Sequence, residues 1–169
     1  MSLRVVKVGT SLLRSTEARS TAEAISALCL NLAQCLQRGD RVVLVTSGAV
    51  GLGCQRLGLK TRPSTLRGLQ AAAAIGQGHL MALYEDAMAA HGIPVAQVLL
   101  TRSDLADSRS YQNASATLHQ LIEWKVLPVI NENDTVSSAE LRFGDNDTLS
   151  ALVAAAIDAD DLILLTDID

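Results

Sequence analysis

Val126-Leu127-Pro128-Val129-Ile130-Asn131-Glu132-Asn133-Asp134 joins an unbroken apolar run to a run of carboxamides and carboxylates. The apolar part has the length and the β-branched content of a strand covered on both faces, as in a parallel sheet. The polar part cannot enter such a core without partners, because an unpartnered buried polar group costs roughly 2–7 kcal/mol. The strand therefore delivers a polar cluster to its C-terminal end. A second cluster, Gly144-Asp145-Asn146-Asp147, precedes the apolar run from Leu149 to Ile157 and opens a helix. In open α/β sheets, ligands bind in the crevice outside the carboxyl ends of the strands. Carboxylates suit an ammonium group and amides suit a carboxylate, so these residue types fit a small zwitterion.

Outward from that stretch the pattern repeats. Val5 to Val8 reads as a strand ending in Gly9-Thr10-Ser11. Ser20 and Glu23 form a capping box, followed by Ala22, Ile25, Leu28, Cys29, Leu32, Cys35 and Leu36 at helical spacing, with Gly39 closing the helix. Val42 to Val45 is a second strand, and loop signals run from there to Pro63. A long helix is expected from about Leu66 to His91, ended by Gly92 and Pro94. Gly76 and Gly78 inside it each cost about 1 kcal/mol against Ala, which points to close approach of another helix or a neighbouring subunit. Val95 to Leu100 is a third strand. A helix over Ser110 to Lys125 turns Ala114, Leu118, Leu121 and Ile122 inward. Thr135 to Phe143 alternates weakly and suggests a hairpin. Asp145 or Asp147 caps the helix carrying Leu149, Leu152, Val153, Ala156 and Ile157. Leu162 to Leu165 is the last strand. Strands alternating with amphipathic helices predict a three-layer α/β/α sandwich around a mainly parallel sheet. The 169 residues are read as a single domain.

Composition removes several classes of function. Aromatic residues make up only 2% of the chain, which argues against base-stacking nucleic-acid platforms. A net charge of −4 argues against phosphate-backbone binding. Cys29, Cys35 and Cys54 form no CxxC pair and read as reduced thiols of a cytoplasmic protein. No apolar run reaches the ~18 residues of a membrane span, and Arg4 and Lys7 interrupt any signal-peptide layout.

Individual motifs carry two readings each. Lys7, inside an apolar strand, needs an anion if buried, and Gly9 beside it lets backbone N–H groups approach one. Alternatively its stem packs while its amine snorkels to the strand end. Thr46-Ser47-Gly48-Ala49-Val50-Gly51-Leu52-Gly53 is a Gly-rich turn entering a possible helix, suited to an anion or to a plain tight turn. It is not a P-loop, since the chain has no Gly-Lys pair, nor a dinucleotide fingerprint, since Arg56 stands where the third Gly belongs. Asp145-Asn146-Asp147 starts like a calcium loop, but the required Gly and terminal Glu are absent. Asp158, Asp160 and Asp161 read as a solvated loop rather than a metal cluster. His79, His91 and His119 have no metal spacing, so no protein metal site is expected. Together Lys7/Gly9, Ser47/Gly48, Asn131/Asp134 and Thr166/Asp167 sit at four strand ends and Asn146 opens a helix. One sheet edge then offers a cation, anion-friendly backbone and groups that hold an amino acid.

At these residues the chain resembles the glutamate 5-kinases, a branch of the amino-acid kinase family. The matching segments are VVKVGTSLL (5–13), VVLVTSGAVGLG (42–53), LLTRSD (99–104), VLPVINENDTV (126–136), FGDNDTLSAL (143–152) and LILLTD (162–167). The pairing of INEND with GDND is specific to this branch. The resemblance implies ATP-dependent phosphorylation of the L-glutamate γ-carboxylate to γ-glutamyl phosphate, the first step of proline biosynthesis. It implies that Lys7 contacts the ATP phosphates and the transferring group, and that Asp147 orients Lys7. Ser47, Asp134 and Asn146 would hold glutamate, and Gly9, Gly48, Thr166 and Asp167 would belong with Lys7 to the ATP site. Mg²⁺ would be carried mainly by ATP. Proline would act as feedback inhibitor near the glutamate site, and glutamyl-phosphate reductase would consume the product.

The family's kinase domain continues beyond the length of this chain, and many members append a small PUA domain, absent here. The resemblance thus implies that the chain is the N-terminal, amino-acid-binding part of a kinase domain, with most of the ATP half missing and ATP turnover negligible. An unpaired edge at Leu162 to Leu165 would favour a homo-oligomer. A non-catalytic glutamate- or proline-binding module stays open beside the kinase reading. A kinase for another carboxylate, carbamate or nucleotide fits INEND–GDND poorly, and a dinucleotide dehydrogenase lacks its glycines.

Overall fold

The computed structural model of the protein describes residues 1–138 and 146–167. The apolar runs become strands β1 (Leu3–Val8), β2 (Arg41–Val45), β3 (Val95–Leu100), β4 (Leu127–Glu132) and β5 (Asp161–Leu165). Among the described residues they form one sheet in the order β3-β4-β2-β1-β5. Every pairing in it is parallel.

Side chains alternate across a strand, and the two faces find different partners. Val6, Val8, Val42, Leu44, Leu127 and Val129 pack against α2 (Thr21–Gln37), α3 (Ala49–Arg56) and α4 (Leu66–Ala89). Leu3, Val5, Val43, Val45 and Ile130 pack against α5 (Arg102–Ala106), α6 (Ser108–Glu123) and α7 (Asp147–Ala156). The expected three-layer α/β/α sandwich is the observed architecture. Lys7 is in phase with Leu3 and Val5 and so turns toward the layer that contains α7. A short helix, α1 (Thr10–Leu13), follows β1.

The connections locate the ligand crevice. Those leaving β1 and β2 enter the first layer, and those leaving β3 and β4 enter the second. β2 and β4 are neighbours, with Leu44 opposite Val129 and Val45 opposite Ile130. Their outgoing chains therefore part in opposite directions, and a cleft opens between them at the C-terminal edge.

Several expectations are corrected. The possible helix after Gly48 is α3 (Ala49–Arg56), so the loop expected up to Pro63 begins only beyond it. Gly53, inside α3, serves packing: a Cβ there would overlap the backbone of Ala72 on α4. Reciprocally, a Cβ on Gly76 would overlap the Ala49 carbonyl oxygen. Gly76 thus has the expected close approach, to α3. Gly78 does not, since a Cβ there meets nothing within 4 Å. Helix α5 was not expected; Thr101 and Asp104 form its capping box. Asn146 is the N-cap of α7 and Asp147 its first residue, so Asp147 is not the cap, and Asp145 lies outside the described residues. The N–H groups of Val136 and Ser137 both donate to Asn133 C=O (3.3 and 3.2 Å), which makes a turn where a hairpin strand was expected to start. The rest of that hairpin, residues 139–143, lies outside the described residues.

Candidate functional site

Lys7 reaches the end of β1 with its side chain 5% exposed, and its Nζ lies 2.7 Å from Asp147 Oδ1. The pair follows from two local rules. Strand parity turns Lys7 toward the α7 layer, and Asp147 occupies the first helical position of α7, where a carboxylate also suits the helix dipole. A Cβ on Gly9 would sit 3.5 Å from Lys7 Nζ, an ordinary contact. Glycine there leaves the approach to the amine open rather than relieving a clash.

One strand over, β2 ends in Thr46, Ser47 and Gly48. Thr46 is fully buried and its hydroxyl is 2.7 Å from the Tyr84 hydroxyl on α4. Burial pushes the Tyr84 phenol well above its ordinary range. Gly48 caps α3 with φ 104°, a conformation that favours glycine. The first turn of α3 is thereby aimed at the cleft, where helix N-termini favour an anion.

β4 brings Asn131 and Glu132 inside the strand itself, 3% and 5% exposed, with Asp134 in the turn beyond. Asn146 meets them from α7. It holds φ 71°, rare for a non-glycine residue, and its amide explains why it persists. Its Nδ2 lies 2.7 Å from Thr46 O, 2.9 Å from Asn131 Oδ1 and 3.2 Å from Ser47 Oγ. A cavity of about 240 Å³ opens over these groups, walled by Ser47, Gly48, Arg62, Asn131, Asp134 and Asn146 among others. That is small for a drug-sized ligand and suited to an amino acid. Its lining combines the α3 turn and Arg62 with Asp134 and Asn146.

On the far side of β1 the Gly9 N–H donates to Leu165 O at 3.3 Å. The Ser11 hydroxyl donates to Asp167 Oδ1 at 2.7 Å and holds that carboxyl below its ordinary value. Thr166 and Asp167 are both exposed. The structure thus brings Ser47, Gly48, Asp134 and Asn146 to the β2/β4 cleft and sets Gly9, Thr166 and Asp167 together at β1/β5. Lys7 stands between the groups and does not line the cavity. Arg62, in the α3–α4 connection, was missed; it lies outside the matching segments and only the folded loop returns it to the cleft. A second cavity of about 360 Å³ shares Ser47, Gly48 and Arg62 with the first and adds Arg14 and Lys60. Among the described residues no three His, Cys, Asp or Glu side chains group as metal ligands. Among the described residues no helix is long and apolar enough to cross a membrane.

Residues 2–169 match the model of the amino acid kinase family. A glutamate 5-kinase of Parasynechococcus marenigrum (strain WH8102) is 69% identical over all 169 residues, which cover 46% of its length. A glutamate 5-kinase of Prochlorococcus marinus (strain MIT 9313) is 66% identical, with 47% of its length covered. The chain spans about half the length of these curated relatives. Among solved structures, carbamate kinase from Giardia lamblia bound to AMP-PNP superposes with a TM-score of 0.64 at 16% identity. The match covers 99% of this chain and 71% of that one.

Proposed function

Because the chain belongs to the amino acid kinase family, we propose that its strand-end cluster is the glutamate side of a kinase that phosphorylates the L-glutamate γ-carboxylate. The product is γ-glutamyl phosphate, made in the first step of proline biosynthesis and passed to glutamyl-phosphate reductase. The observation that carries this reading is the order of groups along the sheet edge: amino-acid-holding side chains at β4 and β2, a buried ammonium on β1, and Thr166 with Asp167 on β5. Support comes from the glutamate 5-kinase relatives, and for ATP from the neighbour bound to AMP-PNP.

In this reading Asp134 and the Asn146 amide hold the α-ammonium, and Ser47 sits nearer the reacting end. Lys7 neutralises charge on the transferring phosphoryl group, and Asp147 fixes its amine. Phosphoryl transfer needs positioning and charge stabilisation more than covalent chemistry. The nucleophile is the substrate's own carboxylate, ionised at neutral pH, so no strong general base is required. Gly9, Gly48, Thr166 and Asp167 face the nucleotide, a role that suits the open approach to Lys7 beside Gly9. Mg²⁺ arrives with ATP and supplies charge neutralisation. The chain serves as the amino-acid-binding part of a cytoplasmic, homo-oligomeric kinase with proline as its feedback inhibitor.

The test is ADP release by the kinase at the full length of its relatives, with L-glutamate, aspartate and carbamate offered in turn. Release that needs L-glutamate and is abolished by Lys7→Met is the expected result. Glutamate binding without any ADP release would favour the non-catalytic module, and release driven equally by carbamate would remove the glutamate assignment.

A further inference from the structure

The second cavity, of about 360 Å³, differs in character from the cleft it adjoins. Arg14, Lys60 and Arg62 line it, and among the described residues no Asp or Glu does. The chain has 18 acidic and 14 basic residues, so an acid-free group of three cations is not an average sample of it. Among the described residues none of the three enters a salt bridge. Arg14 is a minor partner of Asp167, whose carboxyl is held low chiefly by the Ser11 hydroxyl, and Asp167 is outside the lining. Buried Leu13, Val50, Leu52 and Leu80 supply an apolar wall. Charges of one sign around low-dielectric walls focus their field into a cleft and draw in a counter-ion. Local structure places the cations. Arg14 caps the end of α1, its N–H donating to Thr10 C=O at 2.9 Å. After α3, Gly58 holds φ 64°. Its N–H donates to Gln55 C=O at 3.1 Å, and the Leu59 N–H donates to Cys54 C=O at 3.0 Å. This left-handed end motif turns the chain back and puts Leu59 in the cavity wall. Further on, Pro63 packs so tightly on α4 that a Cβ on Gly68 would sit 2.7 Å from the Pro63 Cβ. Lys60, Thr61 and Arg62 are thus strung between two anchors.

We propose that this cavity is a second ligand site, for a small organic anion with an apolar body and no ammonium group, and that its occupant weakens ligand binding in the neighbouring cleft. The exclusion of an amine follows from the lining, where an ammonium would meet three cations and no carboxylate. The cleft differs, because Glu132 and Asp134 line it. The coupling follows from the shared wall. Ser47, Gly48 and Arg62 belong to both cavities, so two anions draw on one guanidinium. The coupling, unlike the site itself, rests on the glutamate reading above.

The probes are 3-methylbutanoate, its amide, and L-valine, which adds an ammonium to the same body. Each is titrated into the 169-residue chain in low-salt buffer, where exposed charges are least screened, and followed by backbone amide NMR at Leu13, Leu52 and Thr61. 3-Methylbutanoate is expected to shift these resonances saturably, with the amide and L-valine weaker by about tenfold or more. Arg14→Gln combined with Lys60→Gln leaves the lining of the cleft intact. That double variant is expected to weaken 3-methylbutanoate about tenfold and to bind L-glutamate as before. Saturating 3-methylbutanoate is expected to raise the apparent Kd of L-glutamate about fivefold, to a plateau, and to have no such effect in the double variant. Absence of saturable shifts, equal binding of the three probes, or binding that survives the double substitution overturns the site. A rise in Kd without a plateau means competition within one site and overturns it too. An unchanged Kd overturns the coupling. If 3-methylbutanoate binds and L-glutamate does not, the glutamate reading falls and the site stands.

Discussion

Lys7 is charged, 5% exposed and held to Asp147 at 2.7 Å, and Asp147 is 47% exposed. Removing Asp147 strands the ammonium of the buried Lys7, whereas removing Lys7 leaves behind a half-exposed carboxylate that water can reach. Asp147→Ala should therefore destabilise the fold by about 1–3 kcal/mol, reduced from the fully buried case because water reaches the carboxylate. Lys7→Met should leave stability equal or raise it, since charged sites are held at the expense of stability. Urea unfolding of the two variants checks the asymmetry; equal losses would mean the pair is merely structural. Asp134→Ala should weaken L-glutamate by roughly 10- to 150-fold, the worth of a buried hydrogen bond to a charged group. Lys7 was legible in the sequence because an amine in an apolar strand is anomalous. Its partner was not derivable from spacing, since 140 positions separate the two and only strand parity and the α7 cap bring them together. Arg62 gave little signal: it is an ordinary polar residue until its loop returns it to the cleft.

Helices α3 and α4 show why glycine misled the local reading. Gly53 sits in what read as a Gly-rich turn and Gly76 as a helix cost, yet each lets one helix backbone touch the other. Gly76→Ala should destabilise by more than about 3 kcal/mol, at the upper end of overpacking penalties. Gly78→Ala, where a Cβ meets nothing within 4 Å, should stabilise by about 0.5–1 kcal/mol. Chemical denaturation decides it, and equal effects at the two positions would remove the packing account. β2 and β4 were easy to read because burial on both faces writes an unbroken apolar run, and β3, although part-exposed and interrupted by Gln97, keeps its expected bounds. Short helices were not. α5 has five residues and its capping box, Thr101 with Asp104, precedes too little apolar periodicity to register. The cap of α7 was misplaced because Asn146 caps by left-handed backbone rather than by a side-chain bond, and composition cannot distinguish these. Burial adds a pH signature in the same layer. It pushes the Cys29 thiol from about 9 up to about 12. An acid that stays neutral when folded but ionises when unfolded leaves stability intact below pH 9 and erodes it as pH rises toward 12. The melting temperature should fall above pH 9, less steeply in Cys29→Ala; parallel slopes would contradict this.

At the scale of the molecule, the sheet ends on β5, which pairs only with β1 among the described residues. Leu162, Ile163 and Leu164 on it are 38%, 39% and 47% exposed. An apolar edge of this kind invites association, so light scattering should find the 169-residue chain oligomeric, and a concentration-independent monomer would remove that expectation. The topology matters more for function. Because β2 and β4 are neighbours whose connections part to opposite layers, the cleft, its polar lining and its place beside Lys7 all follow from one crossover. The central claim is that this cleft holds L-glutamate. Its most direct test is titration of L-glutamate into the 169-residue chain and into its Asn146→Ala variant. The account predicts saturable binding at one site per chain that is lost in the variant. Absence of binding by the unsubstituted chain, or binding that survives Asn146→Ala unchanged, would contradict it.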